Sequence, residues 1–213
     1  MWGVALAFKL QAVFFLPVLL VLVLQGKVKW YQPLYALGAF ALLSFPPLAV
    51  GRSVKEILGV YVTQANSGLV QRLSFDAPNP YLWVPDAYFH YFNKPGVIMG
   101  LAVVLAILLV SVRAYRGSKE QLLYFATIFL LAVPFVLPQM HERYFYPAEI
   151  FSLLVAMSYP KRAWVMVAMQ GITMMTYVPY LFGQTVVPLI FLPFGIAGIL
   201  YRLGADLPAT RQL

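Results

Sequence analysis

The chain of 213 residues has no cysteine, which excludes disulfides, thiolate nucleophiles and cysteine-built metal sites. Its two histidines, His90 and His141, stand isolated in the sequence, so a histidine metal cage is not expected and no metal is assigned. Charge is sparse: Asp, Glu, Lys and Arg make up 10% of the chain, against about 25% in soluble domains. With only seven acids, candidates for general acid–base work are few, and spacing alone promotes none to a catalytic base. No glycine-rich phosphate loop precedes a helix, and no Ser-His-Asp or Cys-His arrangement can be assembled. Asn66, Asn79 and Asn93 all lack the Asn-x-Ser/Thr glycosylation pattern, repeats and low-complexity tracts are absent, and nothing names a cofactor.

What the chain has in abundance is apolar surface. Hydrophobic residues reach 62%, aromatics 16% and mean hydropathy +0.80, against about 45–50% apolar residues in soluble domains. Several uncharged runs are long enough to cross the ~30 Å hydrocarbon core, which needs ~20 residues per helix. The pattern predicts an all-α fold, a multi-pass transmembrane helical bundle of about seven spans, over residues 3–24, 31–50, 95–112, 121–137, 147–159, 163–182 and 185–201. The whole of 1–213 reads as a single transmembrane domain, with 51–94 as an outer-face segment. The first run lacks a basic leader and ends on Gln25-Gly26-Lys27-Val28-Lys29, the reverse of a cleavable signal peptide, so it is expected to stay as a span. The last two spans are divided by Gly183-Gln184-Thr185 and are expected to form a tight hairpin.

A formal charge of +8 would suggest nucleic acid in a soluble domain. In a membrane protein it sets orientation instead, and no nucleic-acid partner is expected. Seven spans place Lys27, Lys29, Arg113, Arg116, Lys119, Lys161, Arg162, Arg202 and Arg211 on one side, which is then cytoplasmic. The N-terminus, residues 51–94, the link around His141 and the turn at Gly183 face outward.

In the outer segment Val54, Ile57, Leu58 and Tyr61 fall at i, i+3, i+4 and i+7, the stripe of a short interfacial helix. The following Ser74-Phe75-Asp76-Ala77-Pro78-Asn79-Pro80-Tyr81-Leu82-Trp83 carries prolines that forbid regular helix or strand, and is expected to fold as a lid. Taken singly, Tyr81 and Trp83 also fit a headgroup-level aromatic belt.

The densest polar cluster is Gln139-Met140-His141-Glu142-Arg143-Tyr144-Phe145-Tyr146-Pro147, on the same outer side. Pro147 suits the first turn of the next helix, whose free N–H groups would point outward beside Arg143 and His141, a combination that favours a phosphate oxyanion. Glu149, in the same turn, would oppose an anion unless it pairs with Arg143 or orders it; it equally suits the helix dipole as a plain acid near a helix start. The competing reading of the cluster is a solvated link. Lys9 lies inside an otherwise apolar run, where a lysine is a functional candidate, with snorkelling to the interface as the alternative. Gln11, two residues on, points to a different face of a regular helix.

These elements resemble the GT-C superfamily, multi-pass glycosyltransferases that take sugars from polyprenyl-phosphate donors, and within it the bacterial mannosyltransferase-like members. The resemblance rests on three stretches in order: Lys9 to Pro17, Asp76 to Trp83, and Met140-His141-Glu142-Arg143-Tyr144 followed by Pro147. It implies an integral protein of the bacterial inner (plasma) membrane with its site facing outward. The implied reaction is transfer of a sugar, mannose among the candidates, from a polyprenyl-phosphate-linked donor to a lipid or glycan acceptor, with membrane lipids around it. On this resemblance His141, Arg143 and Lys9 bind the donor phosphate, while Glu142, Tyr144, Gln11, Asp76, Asn79 and Trp83 contact donor or acceptor. The family places its catalytic carboxylate in a loop after an earlier helix, which maps onto no residue here, so the catalytic residue is left unassigned. The chain accordingly resembles the C-terminal half of such an enzyme, as a fragment of a longer protein, a split subunit whose partner is the missing N-terminal half, or a decayed copy, and is expected to be inactive alone. The alternative function is a lipid-linked glycan flippase or polysaccharide-export subunit, which would want polar groups through the depth of the spans, and a third is a noncatalytic membrane scaffold.

Overall fold

The computed structural model describes residues 2–65 and 71–206. The fold is all-α: nine α-helices among the described residues, short 3-10 turns, and two strands of two residues each. The chain divides into two compact units, residues 1–71 and 72–213, the division falling inside the segment read as an outer loop.

In the first unit the expected continuous span is broken. Helix α1 (Trp2–Phe8) ends where Lys9 is extended at φ −152° and ψ 126°. A 3-10 turn over Leu10–Phe15 follows, and α2 (Leu16–Leu24) begins with Pro17 in its first turn. The Trp2 indole N–H bridges the break, donating to the Ala12 carbonyl at 2.7 Å. Helix α3 (Tyr35–Ala49) packs on α1 and holds Pro46 and Pro47 near its end. Gly3 makes that packing close, since a Cβ there would lie 2.4 Å from the Ala36 Cα. The amphipathic stretch is helical as α4 (Val54–Ala65), opened by a reciprocal cap in which Glu56 N–H donates to Ser53 Oγ and Ser53 N–H to the Glu56 carboxylate. The side chain of Tyr61, in the expected stripe, lies outside the described residues.

The second unit is built around α6 (Lys119–Val136), which packs against α5 (Phe89–Ala114), α7 (Tyr146–Ser158) and α9 (Leu192–Asp206); α8 (Ala163–Phe182) packs between α7 and α9. Tyr124, Phe125, Phe129 and Leu131 of α6 are fully enclosed and form the centre of the core. Gly100 allows α5 to touch the end of α6, where a Cβ would stand 2.7 Å from the Val136 carbonyl oxygen. Gly183 is left-handed at φ 66° and closes α8 before the turn to α9.

Three helices among the described residues are long and apolar enough to cross a membrane, fewer than the seven expected: Asp86–Ala114, Lys119–Val136 and Leu189–Asp206. The physical reasons for the shortfall differ. The first run is interrupted at Lys9, leaving Gln11–Leu24 as a shorter apolar piece. Helices α3 and α7 have 15 and 13 residues, about 22 and 20 Å at 1.5 Å per residue, short of the ~30 Å core. Helix α8 has 20 residues, but Gln170, Thr173, Thr176 and Tyr177 dilute its apolar character.

Candidate functional site

The site grows from the way α6 ends. Leu137 precedes Pro138 and is extended at ψ 143°, as a residue before proline must be, so the helix stops there. Gln139 then turns left-handed at φ 60° and donates its N–H to the Leu73 carbonyl at 2.7 Å. This lays β2 (Met140–His141) parallel to β1 (Ser74–Phe75), pairing Ser74 with Met140 and Phe75 with His141. Asp76, left-handed at φ 56°, bridges to His141 and ends the pairing. Among the described residues, Asp76 and Gln139 are the non-glycine residues at positive φ, and both sit at the closure of this small sheet. Such a conformation costs a non-glycine residue about 1–3 kcal/mol and persists where its surroundings enforce it, often beside a functional site. The expectation that prolines forbid a strand in 74–83 is thereby corrected. Ser74 and Phe75 precede Pro78 and are free to pair, and Pro80–Trp83 forms a 3-10 turn.

Above this sheet lies a cavity of about 420 Å³ lined by Arg72, Phe75, Asp76, His141, Glu142, Arg143, Tyr177 and Leu181. The rings of Phe75 and His141 stack at 4.4 Å, Tyr144 meets His141 edge-on at 5.2 Å, and the Arg72 guanidinium lies over Phe75 at 5.6 Å. Arg72 is neutralised, 3.7 Å from Asp76 and 3.2 Å from Asp86, and Asp86 also accepts the Leu73 N–H. Arg143 is exposed on the short turn Glu142–Phe145 that leads into α7, and pairs with no acid among the described residues. Pro147 lies in the first turn of α7.

Glu149 does not pair with Arg143. It is buried, and its carboxylate accepts the Tyr177 hydroxyl at 3.3 Å. The acid in the first turn is therefore directed toward α8 and leaves the Arg143 guanidinium unopposed from that side.

Burial lowers the His141 pKa below its usual 6.5; Arg143 and Arg72 lower it further, while Asp76 pulls it up. The imidazole is neutral at pH 7 and offers one N–H and one lone pair. Glu142 stands 4.0 Å from Nδ1. Burial raises the Tyr144 phenol, partly offset by Arg143, so it stays a neutral hydroxyl. A histidine lowered in the folded state contributes stability that is fully present above about pH 6.5 and is lost as pH falls from there toward the lowered value. His141→Gln is therefore expected to flatten the fall in melting temperature between about pH 7.5 and pH 5. An unchanged slope would show that His141 does not titrate in that window.

Of the residues expected at the site, His141, Glu142, Arg143 and Asp76 line one cavity and Tyr144 backs it. Asn79 is corrected to a buried structural role, and Trp83 does not line this cavity. Asn79 is fully buried, with its amide bonded to the Pro134 and Leu137 carbonyls; the Trp83 indole donates to the Ile190 carbonyl at 2.8 Å and its ring packs on Phe194. Lys9 and Gln11 belong to the first unit, Lys9 exposed at the helix break and Gln11 with a buried Nε2 lacking a partner among the described residues. Sequence reasoning missed Arg72 and Tyr177. Arg72 was signalled by standing four residues before Asp76, and Tyr177 by the polar stripe Thr173, Thr176, Tyr177 on α8.

The arrangement can do three things. The Arg143 fork can hold two oxygens of a phosphate, the neutral imidazole can donate to a third, and Asp76 and Glu142 can accept from hydroxyls. No protein-family model, curated protein or solved structure matches the chain.

Proposed function

We propose that the 72–213 unit holds the donor of a membrane glycosyltransferase, seating the phosphate of a polyprenyl-phosphate-linked sugar, mannose among the candidates, on Arg143 and His141. The observation that carries this reading is the Arg143 guanidinium, without an acidic partner among the described residues, beside a neutral imidazole in a cavity also lined by Asp76, Glu142, Phe75 and the acid-paired Arg72. A volume near 420 Å³ falls in the range of ligand pockets, about 300–1,000 Å³.

In the reaction an acceptor hydroxyl attacks the anomeric carbon, its proton goes to a base, and the sugar–phosphate bond breaks toward the lipid phosphate. The phosphate changes from a singly charged diester to a more highly charged monoester. A cation held against it binds the departing form more tightly than the bound donor, which is what lowers a barrier. Asp76 and Glu142 serve as acceptors for sugar hydroxyls; neither is assigned as the base. A flippase is the less favoured reading, since the ionisable groups of this unit gather at the helix ends rather than through its depth.

The same reading places the chain in a bacterial inner membrane with the cavity outward, counts the shorter apolar helices toward seven spans, and sets the Lys- and Arg-rich ends in the cytoplasm. The absence of native cysteine makes the orientation directly testable. Ala87→Cys and Lys119→Cys, both exposed positions, are expected to react with an impermeant maleimide from opposite sides of sealed vesicles. Labelling of both from one side would overturn the topology. For the donor site, the deciding test is binding of a polyprenyl-phosphate sugar to the parent chain and to Arg143→Ala.

A further inference from the structure

We propose that the end of the 72–213 unit remote from the Arg143 cavity is a docking face for the headgroups of anionic phospholipids. The helix ends that form it are brought together by specific contacts. Helices α5 and α6 are joined by the turn 115–118, where the Arg116 N–H donates to Gln121 Oε1 at 2.8 Å and Tyr115 packs edge-on to Phe125 at 6.0 Å. The Arg162 guanidinium, just before α8, lies 5.9 Å over the Tyr124 ring of α6 and pairs with Asp206 at the end of α9. Tyr159, just after α7, meets Tyr124 edge-on at 6.5 Å. The end of α5, the start of α6, the end of α7, the start of α8 and the end of α9 therefore share one end of the bundle.

That end collects Arg113, Arg116, Lys119, Lys161, Arg162 and Arg202 against two acids, Glu120 and Asp206. Asp206 is taken by Arg162. Arg113, Arg116, Lys119, Lys161 and Arg202 are all exposed and have no ion pair among the described residues. A set of like charges at this density repels itself and raises the energy of the compact state unless an anion lies opposite. The depth of the set identifies the anion. Arg113 lies in the last turn of the long apolar α5, Arg202 near the end of α9, and Tyr201, 74% exposed, sits beside it as an interfacial ring. For a chain that spans a bilayer, these cations stand at headgroup level, and the singly charged phosphodiesters of anionic lipids complement them. The inference rests on the membrane reading alone and is independent of the glycosyltransferase assignment.

The test reconstitutes the full chain in vesicles of equal parts phosphatidylcholine and phosphatidylglycerol, extracts it in polymer-bounded discs, and measures the ratio of the two lipids retained. A cation near an anionic surface changes partitioning about fivefold, so the parent is expected to enrich phosphatidylglycerol severalfold over the bulk ratio. In about 1 M salt, where the screening length is ~3 Å, the enrichment should collapse. The variant Arg113→Gln/Arg116→Gln/Lys119→Gln should return toward the bulk ratio, and Arg113→Lys/Arg116→Lys, which keeps the charge, should keep the enrichment. Lys94→Gln, at the other end of α5, should leave it unchanged. If the triple variant does not insert, Arg116→Gln and Lys119→Gln must each lower the enrichment singly. A parent ratio equal to the bulk, a triple variant that stays enriched, or a Lys94→Gln loss as large as the triple variant's overturns the proposal.

Discussion

Arg143→Ala is expected to weaken binding of a polyprenyl-phosphate sugar by about 1.5–3 kcal/mol, the range for a hydrogen bond to a charged group, or roughly ten- to a hundredfold and more in Kd. The size follows from what surrounds the guanidinium. Arg72, the other arginine of the cavity, is already engaged by Asp76 and Asp86, and His141 is neutral at pH 7. Removing Arg143 therefore takes away the one cavity cation without an acidic partner among the described residues. Glu149, turned to Tyr177, leaves no carboxylate newly unpaired, so folding should survive the change. Arg143→Lys should recover part of the loss, because an ammonium keeps the charge without the two-pronged geometry. His141→Ala should cost less in binding. If the imidazole carries a proton in turnover, its loss would appear in rate and vary with pH near the lowered pKa. Equal donor affinity in Arg143→Ala and the parent, with both folded, would sink the phosphate assignment and leave the cluster a solvated link.

The part of this site legible in the sequence was the part written in local chemistry. Cation, imidazole, acid and proline crowded between two apolar runs are uncommon in a plain connector, and His141, Glu142, Arg143 and Pro147 were readable at once from Met140 to Pro147. Hydropathy likewise made α5 and α6 plain, because long uncharged runs of Leu, Val and Ile allow little else. What the sequence hid was partnership across distance. Whether Glu149 faces Arg143 or Tyr177 depends on how α7 packs against α8, which no local pattern encodes. The break at Lys9 was hidden for a related reason. The run from Trp2 to Leu24 is apolar enough to span, and its interruption shows only where Trp2 donates to Ala12 across the extended Lys9. The pairing of Ser74–Phe75 with Met140–His141 joins segments more than sixty residues apart, and a two-residue strand carries no periodicity to detect.

The residue misread most instructively from the sequence, Asn79, supports the largest expected change in stability. In a regular helix the Pro134 carbonyl would accept the N–H of residue 138, but residue 138 is a proline and has none. The Asn79 amide supplies the missing donor, reaching Pro134 O at 3.4 Å and Leu137 O at 3.3 Å, while its own oxygen accepts the Tyr81 N–H at 3.2 Å. The Tyr81 hydroxyl donates to Val136 O at 3.2 Å beside it, so the 76–83 loop caps the end of α6. Asn79→Ala leaves these buried groups unpaired and is expected to cost about 1–3 kcal/mol. Asn79→Asp preserves the shape but turns an acceptor toward two carbonyl oxygens and buries a carboxylate, so it should destabilise at least as much. The loop that Asn79 anchors also carries Asp76 and Phe75, two walls of the cavity. Both variants should therefore lower donor affinity together with melting temperature, whereas Arg143→Ala lowers affinity alone. A thermal melt of detergent-solubilised Asn79→Asp within about a degree of the parent, where a loss near 1 kcal/mol shifts a domain of this size by several, would show that the amide does not hold the loop to α6.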